Sequence, residues 1–273
     1  MSDFHVDRSK RCSVCDARVE LFGRAAVLGK YDVAYYKCVE CSFVQTEQPY
    51  WLDEAYAAPI TAIDLGLLDR NYRLAAIATR LISRVLKTAE PCVDYGGGYG
   101  VFVRLMRNRG IPFYHRDPMA KNLFAEGFEA CDTQTFALAT AMEVFEHMVF
   151  PHDDLKVLDQ LAPHWLVTTE LIPESTPTLS DWWYYMPETA QHISFYSRKS
   201  LQVLAARYDR RVITCGKGLH FFTKSNVSQK YIQWILRNRT SRWFDKWYKQ
   251  RSLLEADYHQ RLAALRSTQR DAA

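Results

Sequence analysis

The sequence predicts an α/β fold: a mostly parallel sheet with helices on both faces, flanked by a cysteine-rich ribbon and a helical tail. Three observations predict it. A short apolar strand, Cys92–Tyr95, enters a glycine-rich turn that opens an amphipathic helix, Val101–Arg109, stopped by Gly110. Alternating apolar runs and helical periodicity then continue to Thr223. Two Cys-x-x-Cys pairs stand ahead of this pattern. A length of 273 residues suits one large domain with appendages. The hydrophobic share of 48% and charged share of 24% exclude a disordered chain. No apolar run reaches the ~20 residues of a membrane-spanning helix. Residues 1–15 are polar and carry no signal core, so a cytoplasmic location is expected.

The ribbon comes first. Cys12-Ser-Val-Cys15 and Cys38-Val-Glu-Cys41 stand 22 residues apart. Each pair sets two thiolates on one tight turn, and two such turns complete a tetrahedral S4 site suited to Zn2+. With four cysteine ligands and no open position, the metal would hold a fold rather than catalyse. An odd total of seven cysteines favours metal ligation in a reducing compartment over disulfides. Between the pairs the pattern predicts strands over Arg18–Phe22, Ala26–Leu28 and Val33–Tyr36, with turns at Gly23 and Gly29. The connector that follows contains an amphipathic helix, Arg70–Lys87, with Leu74, Ile77, Ala78, Leu81, Ile82 and Val85 on one face.

The glycine loop excludes two phosphate-binding classes. A dinucleotide fingerprint needs a third glycine inside the helix, and Val101 and Val103 stand at those positions. A P-loop needs Gly-Lys-Ser/Thr, which is absent. Further strands are expected at Ile111–Arg116, Phe136–Met142, His164–Glu170, Arg211–Cys215 and Leu219–Thr223. Helices are expected around Asp153–Ala162 and, capped by Ser197, over Ser200–Tyr208.

What remains at the loop, Asp94-x-Gly96-x-Gly98-x-Gly100, resembles motif I of class I S-adenosylmethionine-dependent methyltransferases. Glu143-Val-Phe-Glu-His147 resembles the E-V-x-E-H segment after strand four in one branch of them. Gln191-His192-Ile-Ser-Phe-Tyr196 and Ser197-Arg-Lys-Ser-Leu201 resemble the H-x-x-F-(Y/F)-S…S-L element of the same branch. The resemblance runs in order from Pro91 to Thr223. A four-cysteine zinc ribbon ahead of such a domain is similar to methyltransferases of sugar and polysaccharide biosynthesis. The long C-terminal domain of the sugar C-methyltransferases is missing, which leaves O-, N- and C-methylation open.

The resemblance implies a Rossmann-like seven-stranded mostly parallel sheet. It also implies this organisation: zinc ribbon 1–48, helical connector 49–90, methyltransferase core 91–225 and basic aromatic tail 226–273. Gly96, Gly98 and Gly100 would lie under the cofactor's amino-acid part and ribose, with Asp94 near its amino-acid end. Asp117, 23 residues after Asp94, would anchor the ribose hydroxyls, and Asp132 would lie near the adenine. Each of the three aspartates also reads as an ordinary turn or cap residue. Glu143, His147 and His192 are the catalytic candidates, His192 with a near-neutral pKa as general base. His147 reads equally as a packed or capping histidine. The aromatic run Trp182, Trp183, Tyr184, Tyr185 reads either as a packed lid or as a platform for a sugar ring.

The tail holds ten basic and four acidic residues, against a slightly acidic remainder. Trp243, Trp247, Leu254, Tyr258, Leu262 and Leu265 fall near one helical stripe. It is expected to pack on its own domain or on a second copy of the chain, with a membrane surface as a further partner. Glu255, Asp257 and Asp271 dilute its charge and argue against nucleic acid. The expected activity is methyl transfer from S-adenosylmethionine to a sugar, nucleotide-sugar or glycan. The alternatives are an RNA- or protein-modifying methyltransferase and a non-catalytic scaffold.

Overall fold

The computed structural model describes residues 7–57, 63–237 and 250–271, the side chains of 268–271 excepted. The elements of the first half are β1 (Val19–Val27), β2 (Tyr31–Cys38), β3 (Val44–Thr46), α1 (Leu52–Ala55), α2 (Leu67–Leu81), β4 (Cys92–Tyr95), α3 (Val101–Asn108) and β5 (Phe113–Arg116). They continue as β6 (Leu138–Met142), α4 (Pro151–Leu161), β7 (His164–Thr168), β8 (Ser194–Phe195), α5 (Arg198–Arg207), β9 (Arg211–Cys215), β10 (Leu219–Thr223), α6 (Gln229–Leu236) and α7 (Leu254–Asp271). No helix among the described residues is long and apolar enough to cross a membrane.

The larger sheet is mixed and has six strands among the described residues, in the order β5-β4-β6-β7-β10-β9. β4 pairs in parallel with β5 and β6, and β10 runs antiparallel to β7 and β9. The resemblance implied seven strands. The segment that would supply the seventh makes a single parallel bridge, His115 to Glu129. The His115 N–H donates to the Phe128 carbonyl (2.7 Å), and the Ala130 N–H donates to the His115 carbonyl (2.8 Å). Ahead of that bridge the backbone is committed elsewhere. The Asn122 side chain bonds the Ala125 backbone and Glu129, and Gly127 sits at φ +87°. That leaves no extended run to pair.

The ribbon sheet has the order β1-β2-β3-β8, all neighbours antiparallel. The turn expected at Gly23 is instead a bulge inside one long strand, between Leu21 and Gly23. A side chain at Gly23 would crowd the tip of Leu179 at 3.1 Å. Leu28 and Gly29, both at positive φ, form the tight hairpin between β1 and β2.

Contacts divide the chain into two units: Met1–Asp64 with Ala141–Asn226, and Leu65–Thr140 with Val227–Ala273. The first is cored by one cluster that includes Tyr35, Trp51, Trp182, Tyr185, Ile193 and Phe195. In the second, α2 buries Leu74, Ile77, Ala78 and Leu81 of the expected face, and Ala75, Ala76, Thr79 and Arg80 as well, so its second half is enclosed on all sides. The expected helix to Lys87 loosens into a wider turn at Ile82–Leu86 and stops where Lys87 turns left-handed. Ser197 caps α5 as expected, in a reciprocal exchange with Ser200. In the tail, Trp243 and Trp247 lie outside the described residues. Of the stripe, Leu254, Tyr258 and Leu265 in α7 are exposed rather than packed on the chain's own domain. The buried contact is polar: Asp257 bonds Arg107 (2.7 and 2.9 Å) and Arg104 (2.6 Å) of α3.

Candidate functional site

The glycine loop belongs to the unit Leu65–Thr140. Gly96, Gly98 and Gly100 all adopt positive φ (67°, 55° and 84°), which glycine enters without a side-chain penalty. Asp117, at the end of β5, accepts hydrogen bonds from the backbone N–H groups of Gly98 (2.8 Å), Met119 (2.7 Å) and Ala120 (2.9 Å). Gly98 is also held through its carbonyl, in the next peptide group. Its carbonyl accepts from His115 Nε2–H (2.8 Å), because a carbonyl cannot donate. The Asp117 carboxylate therefore sets the loop; Oδ1 takes two of the three bonds, and Oδ2 keeps room for one more donor.

Asp94 lies beneath the loop, buried, and accepts from the Thr140 hydroxyl (2.5 Å). Burial pushes its carboxyl up to about 7; the Thr140 bond pulls the other way and the Asp117 charge adds to the rise. A side chain at Gly97 would stand 2.6 Å from Asp94 Oδ2, so the loop rests directly on this carboxyl. Asp132 is at the surface, paired with Arg116 (2.8 Å).

The other candidates belong to the unit Met1–Asp64 with Ala141–Asn226. Cys12, Cys15, Cys38 and Cys41 gather with their sulfurs within 4.8 Å of one another. All four are free thiols, with Cys12 and Cys41 sulfurs 3.6 Å apart and Cys15 and Cys38 sulfurs 3.4 Å apart. The two knuckles match. In each, the residue after the second cysteine, Asp16 or Ser42, is left-handed. Each also aims a backbone N–H at a sulfur: Val14 to Cys12 and Cys41 to Cys38, both 3.4 Å. The Cys41 hydrogen bond draws the Cys12 thiol down to about 6, and the same bond drives Cys41 up. The cluster thus holds one negative charge easily and resists more until a cation arrives.

A second gathering surrounds His192. Glu146, His147 and His192 offer ligand atoms within 4.8 Å of one another. Glu143, directly after β6, adopts φ +54°, a costly conformation for a residue with a side chain. One 3-10 turn, Phe145–His147, then carries Phe145 and Glu146 into the interior. Glu146 Oε1 accepts from the Tyr184 hydroxyl (2.6 Å), whereas the buried Oε2 has no hydrogen-bond partner among the described residues. His147 donates through Nδ1 to the Gln191 carbonyl (3.0 Å), and His192 through Nδ1 to the Tyr184 carbonyl (2.8 Å). In a neutral ring this puts the proton on Nδ1 and leaves Nε2 as the acceptor or ligand atom. The rings meet edge to face at 5.1 Å. The near-neutral pKa expected of His192 is not what this environment gives. Burial, and then the neighbouring His147, hold it down to about 3.

The aromatic run splits. Trp182, Tyr184 and Tyr185 are buried, with Trp182 and Tyr185 packed against Phe195, while Trp183 is 70% exposed.

A family model described as a methyltransferase domain matches residues 68–214, more than half of the chain. The chain belongs to this methyltransferase-domain family. No curated protein matches the sequence. Among solved structures, it is similar to magnesium protoporphyrin IX methyltransferase of Synechocystis PCC 6803 with bound SAH. That match has 10% identity and a TM-score of 0.43, over 63% of this chain and 90% of the other. A second is an O-methyltransferase family 2 protein of Planctomyces limnophilus DSM 3776 in complex with apigenin. It has 17% identity and a TM-score of 0.45, over 59% of this chain and 60% of the other. A third is an O-methyltransferase family protein of Burkholderia thailandensis, with 14% identity and a TM-score of 0.44, over 65% of this chain and 68% of the other.

Sequence reasoning about this methyltransferase missed four positions. Glu146 stood within the E-V-x-E-H segment, yet nothing in the pattern said which of its two glutamates turns inward. Thr140 and His115 read as ordinary strand residues. Arg8 had no signal at all. It is buried, and its guanidinium donates to the carbonyls of Thr46 (3.0 Å), Ile193 (2.8 Å) and Val149, and to Ser13 and Ser194. It ties the first cysteine knuckle to the strand that follows His192.

Proposed function

We propose that this methyltransferase-family chain transfers the methyl group of S-adenosylmethionine to a sugar, nucleotide-sugar or glycan acceptor. The observation that carries the reading is Gly98, held at its N–H by Asp117 and at its carbonyl by His115 in a loop of left-handed glycines. The donor set fits the cofactor. Gly96, Gly98 and Gly100 leave bare backbone for its amino-acid portion, and Asp117 Oδ2 keeps an acceptor site for a ribose hydroxyl. Among the described residues no cation acts on the buried Asp94 carboxyl, a charge the cofactor's ammonium and sulfonium would supply. Asp132, exposed beside Arg116, is the proposed neighbour of the adenine. When bound, S-adenosylmethionine supplies an electrophilic methyl, so the chain's own work is to orient and to manage a proton.

The sugar reading rests on the four-cysteine ribbon and on the order of the Glu143–His147 and His192–Tyr196 segments. Exposed Trp183 is the proposed platform for a sugar ring. Glu143, His147 and His192 are the proposed groups on the acceptor side. Zn2+ held by Cys12, Cys15, Cys38 and Cys41 is the proposed structural metal. Thiolates at about 2.3 Å from zinc stand roughly 3.8 Å apart in a tetrahedron, close to the 3.4 and 3.6 Å sulfur separations here.

The test is Asp117→Ala with adenosylhomocysteine binding by calorimetry. Losing a carboxylate that accepts charge-assisted bonds costs ~1.5–3 kcal/mol per bond. The affinity is expected to fall at least tenfold, and an unchanged affinity rejects the cofactor site.

A further inference from the structure

We propose that Glu146, His147 and His192 form a second metal centre, a site for one divalent first-row transition cation with coordination positions left open for an oxygen ligand. Three observations support it, each independent of the others. The three side chains offer ligand atoms that already lie within 4.8 Å of one another, so small side-chain rotations bring them onto one ion. Both imidazoles are pre-oriented in the way metal-binding histidines are. Each spends its Nδ1–H on a backbone carbonyl, Gln191 or Tyr184, and keeps its Nε2 lone pair. Glu146 is fully buried, and its Oε2 has no partner among the described residues, while Oε1 is oriented by the Tyr184 hydroxyl. An orphaned carboxylate oxygen in the interior is costly, and a cation removes that cost.

The donor set selects the class of ion. Two imidazoles and one carboxylate suit zinc, cobalt, manganese or iron(II), whereas magnesium and calcium prefer all-oxygen shells. This centre differs from the four-cysteine cluster in kind. Four thiolates close a tetrahedron, but three protein donors leave at least one position open. An oxygen ligand there, a hydroxyl or a pair of adjacent hydroxyls, would have its pKa lowered by the cation and release its proton to water. The cation site stands on its own observations; its use on an acceptor hydroxyl rests on the proposed methyl transfer.

The experiment is to strip the full-length protein with a chelator and titrate it with Co2+, following its visible spectrum alongside metal content. The expected result is two cobalt ions per chain. One has the intense thiolate-to-cobalt band of the four-cysteine cluster, and the other has the weak bands of nitrogen and oxygen ligation. Glu146→Gln keeps an oxygen for the Tyr184 hydroxyl, and His192→Asn keeps a donor near the Nδ1 position. Each is expected to lose the second ion and its bands while retaining the thiolate band, which also reports that the variant has folded. A single thiolate-bound cobalt in the unaltered protein overturns the proposal, and so does a second ion that survives both variants. Adenosylhomocysteine binding is measured on the same samples. Its absence rejects the methyltransferase reading whatever the cobalt result, and its presence with one cobalt rejects only the second centre.

Discussion

Asp94→Asn gives the sharpest test of the electrostatics under the glycine loop. In the native chain burial pushes the Asp94 carboxyl up to about 7. In the unfolded chain it titrates near ~3.9, so the shift is about 3 pH units, or about 4 kcal/mol. Because the folded value is the higher one, the native state binds more protons than the unfolded state between those limits. The stability contribution is complete below about pH 4 and is lost as pH rises through about 7. Asparagine removes the titration and keeps a side-chain oxygen for the Thr140 hydroxyl. From pH 5 to pH 8.5 the stability of the variant relative to the parent is therefore expected to improve by about 3 kcal/mol. The assay is denaturant unfolding of both proteins at a series of pH values and constant ionic strength. Parallel stability curves would refute the buried-carboxyl argument. The same reasoning gives a binding signature. A cationic ligand favours ionised Asp94, so S-adenosylmethionine affinity should rise between pH 6 and 8 in the parent and stay flat in the variant.

The remaining predictions concern the tail and the ribbon. Asp257→Ala leaves Arg107 buried without its carboxylate and frees α7 from α3; breaking such a pair costs about 3–5 kcal/mol. Urea unfolding should show that loss, and limited proteolysis should cut α7 first; unchanged stability would mean that the ion pair does not hold the helix. Cys38→Ala should abolish zinc retention, measured by elemental analysis, and lower the melting temperature sharply. Structural zinc is worth ~10 kcal/mol in ribbon-sized folds, and full thermal stability without zinc would show that the cluster is not a metal staple.

The chain gave up its elements where local chemistry dominates. β9 and β10 run over the residues expected, and β4 ends where the glycines begin, because each is a short apolar run bounded by turn residues. The cysteine spacing likewise specified the four-thiol cluster, since two knuckles on a hairpin can meet in few ways. Long-range outcomes were not legible. Whether residues 128–130 become a strand depends on Asn122 and Gly127 taking the backbone elsewhere, and no periodicity records that competition. The aromatic run was read as one patch, yet a 3-10 turn at Trp183–Tyr185 sends its members in different directions. Burial of His192 likewise depends on neighbours from distant segments, so its low proton affinity could not be seen in its own sequence context.

The position of β8 explains why a cysteine ribbon accompanies this particular site. β8 begins two residues after His192 and is hydrogen-bonded to β3, with Val44 opposite Phe195 and Gln45 opposite Ser194. β3 in turn is paired with β2, which ends in the metal-ligand candidate Cys38. Gln45 fastens the first knuckle as well, since its side chain accepts from the Ser13 N–H (2.9 Å) and donates to the Arg11 carbonyl (2.9 Å). Arg8 adds a second tie, from the same knuckle region to the Ile193 carbonyl. The four thiols therefore brace a backbone path that ends at His192, and the shared core of Tyr35, Trp182, Tyr185 and Phe195 makes that path stiff. A ribbon of this size cannot bury enough surface to be rigid unaided. Bound to zinc it would act as the fixed wall against which the Glu146, His147 and His192 constellation is held, a positioning role that its closed set of four ligands suits better than chemistry of its own.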